Sequence, residues 1–335
     1  MQEPPSRKIA DLDRIPCGDE IATPGVMGSV SFRHQRWGLI LAGGEGVRLR
    51  SLTRAIAGRD CPKQFCAVLG VETLLERTRR RAALAIAPSR TLIALTRRHA
   101  PFFEPLLGGT PSGCALIQPE ERGTAPAILY GLQRIALVAP TAAVAILPSD
   151  HYVGDDAVFM RHVAEAFDAV QVRPELVVLL GITPDRAETE YGWIESGEPV
   201  SGTHLLRVRR FWEKPEPGLA TALFERGCLW NSFVIVAALP ALLALIRHAA
   251  PALDAAFATV LPALGTPTET VAVEDLYRVL PASSFTADVL AARPADLAVL
   301  PVRGVQWSDW GHPTRVLTTL AGLGVTPEWI DRVAM

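Results

Sequence analysis

The sequence predicts an α/β protein, a mixed and mainly parallel sheet with helices on both faces, and three observations support this. From Trp37 onward short apolar runs alternate with helical stretches, the pattern of strands joined through crossover helices. Polar motifs follow several of those runs, where an open α/β sheet gathers its ligands beyond the carboxyl ends of its strands. The 335 residues, 49% hydrophobic and 20% charged, are enough for one large core or two modest ones. Strands are expected at 38–42, 91–95, 115–118, 143–147, 176–181, 205–212 and 232–236, and helices at 74–87, 125–136 and 157–170. Residues 1–35 are rich in Pro, Gly and charge without a clear period and read as a loosely ordered extension. Residues 36–335 read as a single domain.

The first strand runs into the most informative segment, Gly38-Leu-Ile-Leu-Ala-Gly-Gly-Glu-Gly-Val-Arg-Leu49, with Pro62-Lys-Gln-Phe65 shortly after. Gly43, Gly44 and Gly46 leave backbone N–H groups free to approach phosphate oxygens, and Arg48 and Lys63 add positive charge. A P-loop would end in Gly-Lys-Ser/Thr and a dinucleotide fingerprint would need glycine at Leu49; neither pattern is met. Only three lysines occur, Lys8, Lys63 and Lys214, among 33 basic residues. Two of them stand inside motifs, as expected where a compact point charge is preferred to a planar guanidinium.

Composition narrows the partners. A net charge of −2 gives no electrostatic footprint for nucleic acid or an anionic membrane, so any phosphate binding is local. Cys17, Cys61, Cys66, Cys114 and Cys228 show no Cys-x-x-Cys spacing and read as structural residues of a reducing compartment. The charged N-terminus lacks the apolar core of a secretory signal, and a cytoplasmic location is expected. The longest apolar stretch, 233–246, is shorter than a bilayer requires and reads as strand, turn and helix.

Later strand ends carry carboxylates. The run 143–147 leads to Pro-Ser-Asp150-His, and the run 297–305 leads to Trp-Ser-Asp309-Trp-Gly. Each aspartate alone fits a turn or a helix cap. Together they could meet at Mg²⁺, which takes hard oxygen ligands and keeps positions for water and phosphate. Three segments, Glu190-Tyr-Gly-Trp-Ile-Glu195, Phe211-Trp-Glu-Lys-Pro215 and Trp230-Asn-Ser-Phe233, mix aromatic with hydrogen-bonding residues, as a hexose site needs. Each tryptophan taken singly fits core packing.

The motifs LAGGEGVRL, PKQF, QPEERGTAPAI, PSDHYV, EYGWIE, FWEKP, WNSF and WSDWG stand in one order between about residues 37 and 320. In that order the chain resembles the sugar-1-phosphate nucleotidyltransferases, and most closely the bacterial mannose-1-phosphate guanylyltransferases. The resemblance implies a Rossmann-like fold and an enzyme that transfers GMP from GTP to mannose 1-phosphate, releasing pyrophosphate. It assigns Leu41, Ala42, Gly43, Gly44, Gly46, Gln118, Gly123 and Thr124 to the nucleotide, with Gln118 and Gly123 facing the base. Gly192, Glu213 and Asn231 fall to the hexose, Lys214 to its phosphate, Arg48 and Lys63 to the triphosphate, and Asp150 and Asp309 to Mg²⁺. No general base is required, because a phosphate monoester is already largely dianionic near neutral pH.

Departures from the family pattern are Arg50-Ser51 in place of Trp-Pro, Gly123 in place of a common asparagine, and Trp310 in place of a frequent valine. Neither a cupin-type isomerase extension nor a β-helix follows the motifs, and a second activity is not expected. Alternatives are another hexose 1-phosphate or UTP, dTTP or ATP as substrate, and a catalytically silent nucleotide-sugar-binding regulator. Whether the chain forms a homodimer stays open.

Overall fold

The computed structural model describes residues 36–111 and 113–332; the expected N-terminal extension lies outside them. Eleven strands are formed by the described residues: β1 Arg36–Leu41, β2 Thr91–Thr96, β3 Ala115–Gln118, β4 Ala143–Pro148, β5 Tyr152–Val153, β6 Val177–Ile182, β7 Gly192–Pro199, β8 Leu206–Glu213, β9 Leu229–Ala238, β10 Leu297–Val302 and β11 Trp307–Ser308. The α-helices are α1 Arg50–Ala57, α2 Leu74–Ala82, α3 Ala100–Phe103, α4 Thr124–Val138, α5 Asp156–Val172, α6 Pro217–Glu225, α7 Leu239–Ala249, α8 Pro251–Ala258, α9 Glu269–Val279 and α10 Pro313–Gly322.

Nine strands form one mixed sheet in the order β3-β2-β1-β4-β9-β6-β10-β8-β7. The pairs β1–β2, β1–β4, β2–β3 and β6–β10 are parallel, while β9 lies antiparallel to both β4 and β6. A further antiparallel pairing of β7 with β9 closes β9, β6, β10, β8 and β7 into a circuit. Alternation of strands and helices reveals the parallel half. The antiparallel share is larger than that pattern suggests, because β7 and β8 follow each other without a crossover helix.

Helices cover both faces, as expected. Successive residues of one strand enter different cores: Ile40, Ala145, Val178 and Leu300 join one apolar cluster, and Leu39, Val144, Val177 and Val299 join the other. The first cluster includes Leu74 and Leu75 of α2, Phe159 and Val163 of α5 and Val316 of α10. The second includes Ile128 and Leu132 of α4, Leu242 of α7 and Tyr277 of α9. Helix α2 begins at a reciprocal cap between Thr73 and Glu76, and ends at Ala82 rather than continuing to 87. Leu84 and Ala85 turn their N–H groups onto carbonyls three residues back, tightening the chain ahead of Pro88.

Strand β9 is longer than expected and absorbs Trp230 and Asn231, so that motif lies within a strand rather than at its end. The stretch 233–246 is the end of β9 followed by α7, with Pro240 in the helix's first turn. Among the described residues no single helix is long and apolar enough to cross a membrane. Cys61, Cys66 and Cys228 are buried free thiols, whereas Cys114 is disulfide-bonded, a departure from the reducing compartment that the cysteine spacing suggests.

Candidate active site

Behind β1 the chain makes the glycine turn that the motif predicts. Gly46 lies in the left-handed region at φ 59°, and a Cβ there would stand 3.1 Å from the Cβ of Lys63. At Gly43 a Cβ would lie 2.7 Å from Thr96 Oγ1, so the turn closes directly onto the end of β2. The loop is pinned from below: Gln64 Nε2 donates to the Ala42 and Gly44 carbonyls at 2.9 Å each, and Thr96 Oγ1 donates to the Gly43 carbonyl at 3.1 Å. Gln64, inside the Pro62–Phe65 motif, thus holds the loop. Within the loop, the Glu45 carboxylate is 3.0 Å from Arg50, 2.9 Å from Arg98 and 3.5 Å from His99.

Asp150 and Asp309, far apart in sequence, converge because β5 and β11 pair antiparallel, with Ser308 opposite Tyr152 and Trp307 opposite Val153. Between them stands Lys63, 4% exposed, whose ammonium lies 3.2 Å from Asp150 Oδ2 and donates to the Asp309 carbonyl. Asp309 Oδ1 accepts from the Gly311 N–H and from Arg315 Nη1, both at 2.7 Å, while Oδ2 has no hydrogen bond among the described residues. Burial opposes ionisation of Asp309, but His151, Arg315, Lys63 and the Gly311 N–H outweigh it and hold the carboxyl below the usual aspartate range. Burial likewise holds the His151 imidazole below its ordinary pKa, against the pull of Asp150.

Among the described residues no group of three or more His, Cys, Asp or Glu side chains is gathered as a metal cage. Two hard carboxylates with one uncommitted oxygen on Asp309 nevertheless suit Mg²⁺, whose other positions commonly go to water and substrate phosphates. Arg48 is exposed and meets Glu190 at 3.1 Å, an ion pair weak enough in water to yield to a phosphate. It also reaches the second aspartate's turn, since a Cβ on Gly311 would lie 3.0 Å from Arg48 Nη2.

The three expected hexose residues are brought together. Gly192 pairs with Glu213 across β7 and β8, and a Cβ on Gly192 would lie 3.1 Å from Glu213 Oε2 and 3.5 Å from Asn231 Cβ. Loss of solvent raises the Glu213 pKa, with Lys214 working against it. Lys214 is exposed, and its backbone sits at φ 43°. Phe233 at φ 58° and Trp310 at φ 44° are the other two non-glycine residues with positive φ among the described residues. All three belong to the quoted motifs, where stored strain is commonest.

Gln118 and Gly123 mark the expected base position. Gln118 is buried, its Oε1 accepting from Tyr277 OH at 3.1 Å and its Nε2 donating to the Leu95 carbonyl at 3.4 Å. Gly123 has φ 86°, and a Cβ there would be 2.2 Å from the Ser283 carbonyl oxygen. That contact gives the physical reason for glycine here. Ser283 donates its N–H to the Arg122 carbonyl, its own carbonyl accepts from Ala125, and Phe285 N–H reaches Thr124 Oγ1 at 2.8 Å. The segment around Ser283 carried no signal in the sequence.

Arg315 and Glu188 also escaped the sequence reading. Charged residues beside a motif are too common to single them out, and only their contacts do so.

Most of the chain is similar to known proteins. A family model described as nucleotidyl transferase matches residues 37–318. The chain is 34% identical over 197 residues, 58% of its length, to the xanthan biosynthesis protein XanB of Xanthomonas campestris pv. campestris strain B100, covering 40% of that protein. It is 33% identical over 228 residues, 66% of its length, to a mannose-1-phosphate guanylyltransferase of Sinorhizobium fredii, covering 43% of it. The chain thus spans less than half of these curated relatives. A crystal structure from Thermus thermophilus, described as mannose-1-phosphate geranyltransferase, superposes with a TM-score of 0.73 at 32% identity, covering 85% of this chain and 79% of that one.

Proposed function

The chain belongs to the nucleotidyl transferase family, and from that premise we propose that it transfers GMP from GTP to mannose 1-phosphate. In this reaction a phosphate oxygen of the sugar attacks the α-phosphorus, the bond from that phosphorus to the bridging oxygen of the β-phosphate breaks, and pyrophosphate leaves with GDP-mannose formed. The carrying observation is the Lys63 bridge between Asp150 and Asp309, which sets a cation and two carboxylates beside the glycine loop. The grouping of Glu213 and Asn231 around Gly192, which is two residues along the chain from Glu190, supports a sugar subsite adjoining the phosphate grip. Relatives named for mannose-1-phosphate guanylyltransferase support the choice of substrates.

In this reading the loop from Leu41 to Gly46 takes the triphosphate on its N–H groups, and Arg48 and Lys63 neutralise the charge that gathers on the leaving pyrophosphate. Asp150 and Asp309 hold Mg²⁺, which supplies charge neutralisation between two polyanions when bound. Glu213 and Asn231 bind sugar hydroxyls, Lys214 meets the sugar phosphate, and Gln118, Gly123 and Thr124 line the base. Because Ser283 packs against Gly123 where the base is expected, a second reading keeps the chemistry and changes the nucleotide.

Pyrophosphate release with Mg²⁺ and mannose 1-phosphate, measured across GTP, ATP, UTP, dTTP and CTP, tests both. Strong preference for GTP is the expected result, and turnover with another nucleotide selects the second reading. Silence with every nucleotide and with other hexose 1-phosphates would leave a nucleotide-sugar-binding regulator.

A further inference from the structure

We propose that Arg315 is a positioning residue: it turns Asp309 toward a divalent cation and, through Glu188, ties that carboxylate to the strand that begins the sugar subsite. The inference rests on the metal-dependent reading above and adds to it two residues outside the quoted motifs.

Arg315 lies in the first turn of α10, its side chain only 10% exposed. One nitrogen of its fork, Nη1, donates to Asp309 Oδ1 at 2.7 Å, and the other, Nη2, donates to Glu188 Oε1 at 3.2 Å. The guanidinium carbon stands 4.5 Å from the centre of the Tyr191 ring, which supports the planar group from one side. Two carboxylates on separate segments are thus joined by one rigid fork, an arrangement that a lysine ammonium cannot reproduce.

Both ends of this bridge are themselves fixed. Glu188 Oε1 also accepts from the Glu190 N–H at 3.1 Å, its Oε2 meets Arg186 at 3.3 Å, and its carbonyl accepts from Trp193 Nε1 at 2.8 Å. Glu188 is therefore held by the chain that leads into β7 and cannot simply follow Arg315. A second tie joins the same two segments, with Tyr191 OH and Ser308 Oγ 3.1 Å apart and Ser308 Oγ accepting from the Trp310 N–H at 3.2 Å. The turn after Asp309 includes Trp310 at φ 44°, a conformation that persists where the surroundings over-determine it.

The choice of oxygen gives the bridge a functional sense. Arg315 and the Gly311 N–H both take Oδ1, so Oδ2 is the atom left for a cation. Without Arg315 the carboxylate can rotate about its own bond, and Lys63, already at the Asp309 carbonyl, becomes a competing cation. Glu190, two residues from Glu188, meets Arg48, so one short segment touches the triphosphate arginine, the metal-side arginine and the first sugar residue, Gly192.

The test is a Mn²⁺ titration of the full chain, read by the loss of the free-ion electron paramagnetic resonance signal beyond that caused by the same GTP without protein, with GTP present and no sugar phosphate. Arg315→Met is expected to weaken Mn²⁺ binding about 10- to 100-fold, the usual effect of removing a group that orients a metal ligand. Arg315→Lys should recover little of the loss, Glu188→Gln should show a smaller loss of the same kind, and the Mg²⁺ concentration for half-maximal turnover should rise in parallel. Thermal melts identify any variant that fails to fold, and Arg315→Lys and Glu188→Gln then carry the test. Mn²⁺ affinity equal to wild type in the folded variants, whatever their turnover, overturns the role of Arg315. Failure of the wild-type protein itself to bind Mn²⁺ overturns the metal reading and this inference with it, a result distinct from wild-type binding with unchanged variants.

Discussion

The ammonium of Lys63 lies 3.2 Å from the Asp150 carboxylate and donates to the backbone carbonyl of Asp309, so one buried cation joins the ends of two separate strand-and-turn units. The glycine loop runs so close to it that a Cβ on Gly46 would stand 3.1 Å from the Cβ of Lys63.

Lys63→Met should lower turnover about 10²- to 10³-fold, the range for losing one preorganised group that stabilises developing charge. Lys63→Arg should not restore it, because a planar fork does not fit the space of a compact ammonium held between two main-chain turns. Steady-state pyrophosphate release checks both variants, and near-normal rates in Lys63→Arg would show that only charge matters.

Gly123→Ala should destabilise the fold by about 1–3 kcal/mol. The backbone at φ 86° disfavours any side chain, and the new methyl group would press on the Ser283 carbonyl at 2.2 Å. Urea unfolding measures the loss. An unchanged midpoint would mean that the Ser283 segment moves aside without resistance.

Glu213→Ala should lower kcat/KM for the sugar phosphate by about 10- to 150-fold, the equivalent of about 1.5–3 kcal/mol for a hydrogen bond to a charged group. Gly192→Ala, whose methyl group would stand 3.1 Å from Glu213 Oε2, should raise the KM for the sugar phosphate and leave that for the nucleotide alone. Equal effects on both substrates would place this cluster outside the sugar subsite.

His99 makes stability depend on pH. Burial lowers its pKa, with Glu45 pulling the other way, so the folded protein holds it neutral where the unfolded chain begins to bind a proton, near the ordinary value of about 6.5. Its contribution is complete above that value and is lost as pH falls toward the lowered native pKa. Urea midpoints at about pH 7.5 and about pH 5.5 should therefore differ, and His99→Phe, which keeps a ring against Phe65, should narrow the difference. A gap unchanged by the substitution would assign the pH dependence to other groups.

How legible this molecule is from its sequence varies by element. Strand β1 and its glycine turn could be read directly, because an apolar run, three glycines and two cations express their chemistry locally. Strand β7, Gly-Trp-Ile-Glu-Ser-Gly-Glu-Pro, could not be read as a strand: it is half polar, and it exists because β8 and β9 offer it backbone partners. Strand β10 showed only as an apolar run before the Trp307 motif.

Neighbouring residue types along the chain are enough to establish the phosphate-binding character of the loop, the carboxylates after two apolar runs and the order of the motifs. Folding is what brings Asp309 beside Asp150 and Glu188 to Arg315, and what sets Ser283 in the space a side chain at 123 would need. The physical reason is that local propensity and periodicity act over a few residues, whereas those contacts depend on strand pairings such as β5 with β11, which join segments far apart in the chain.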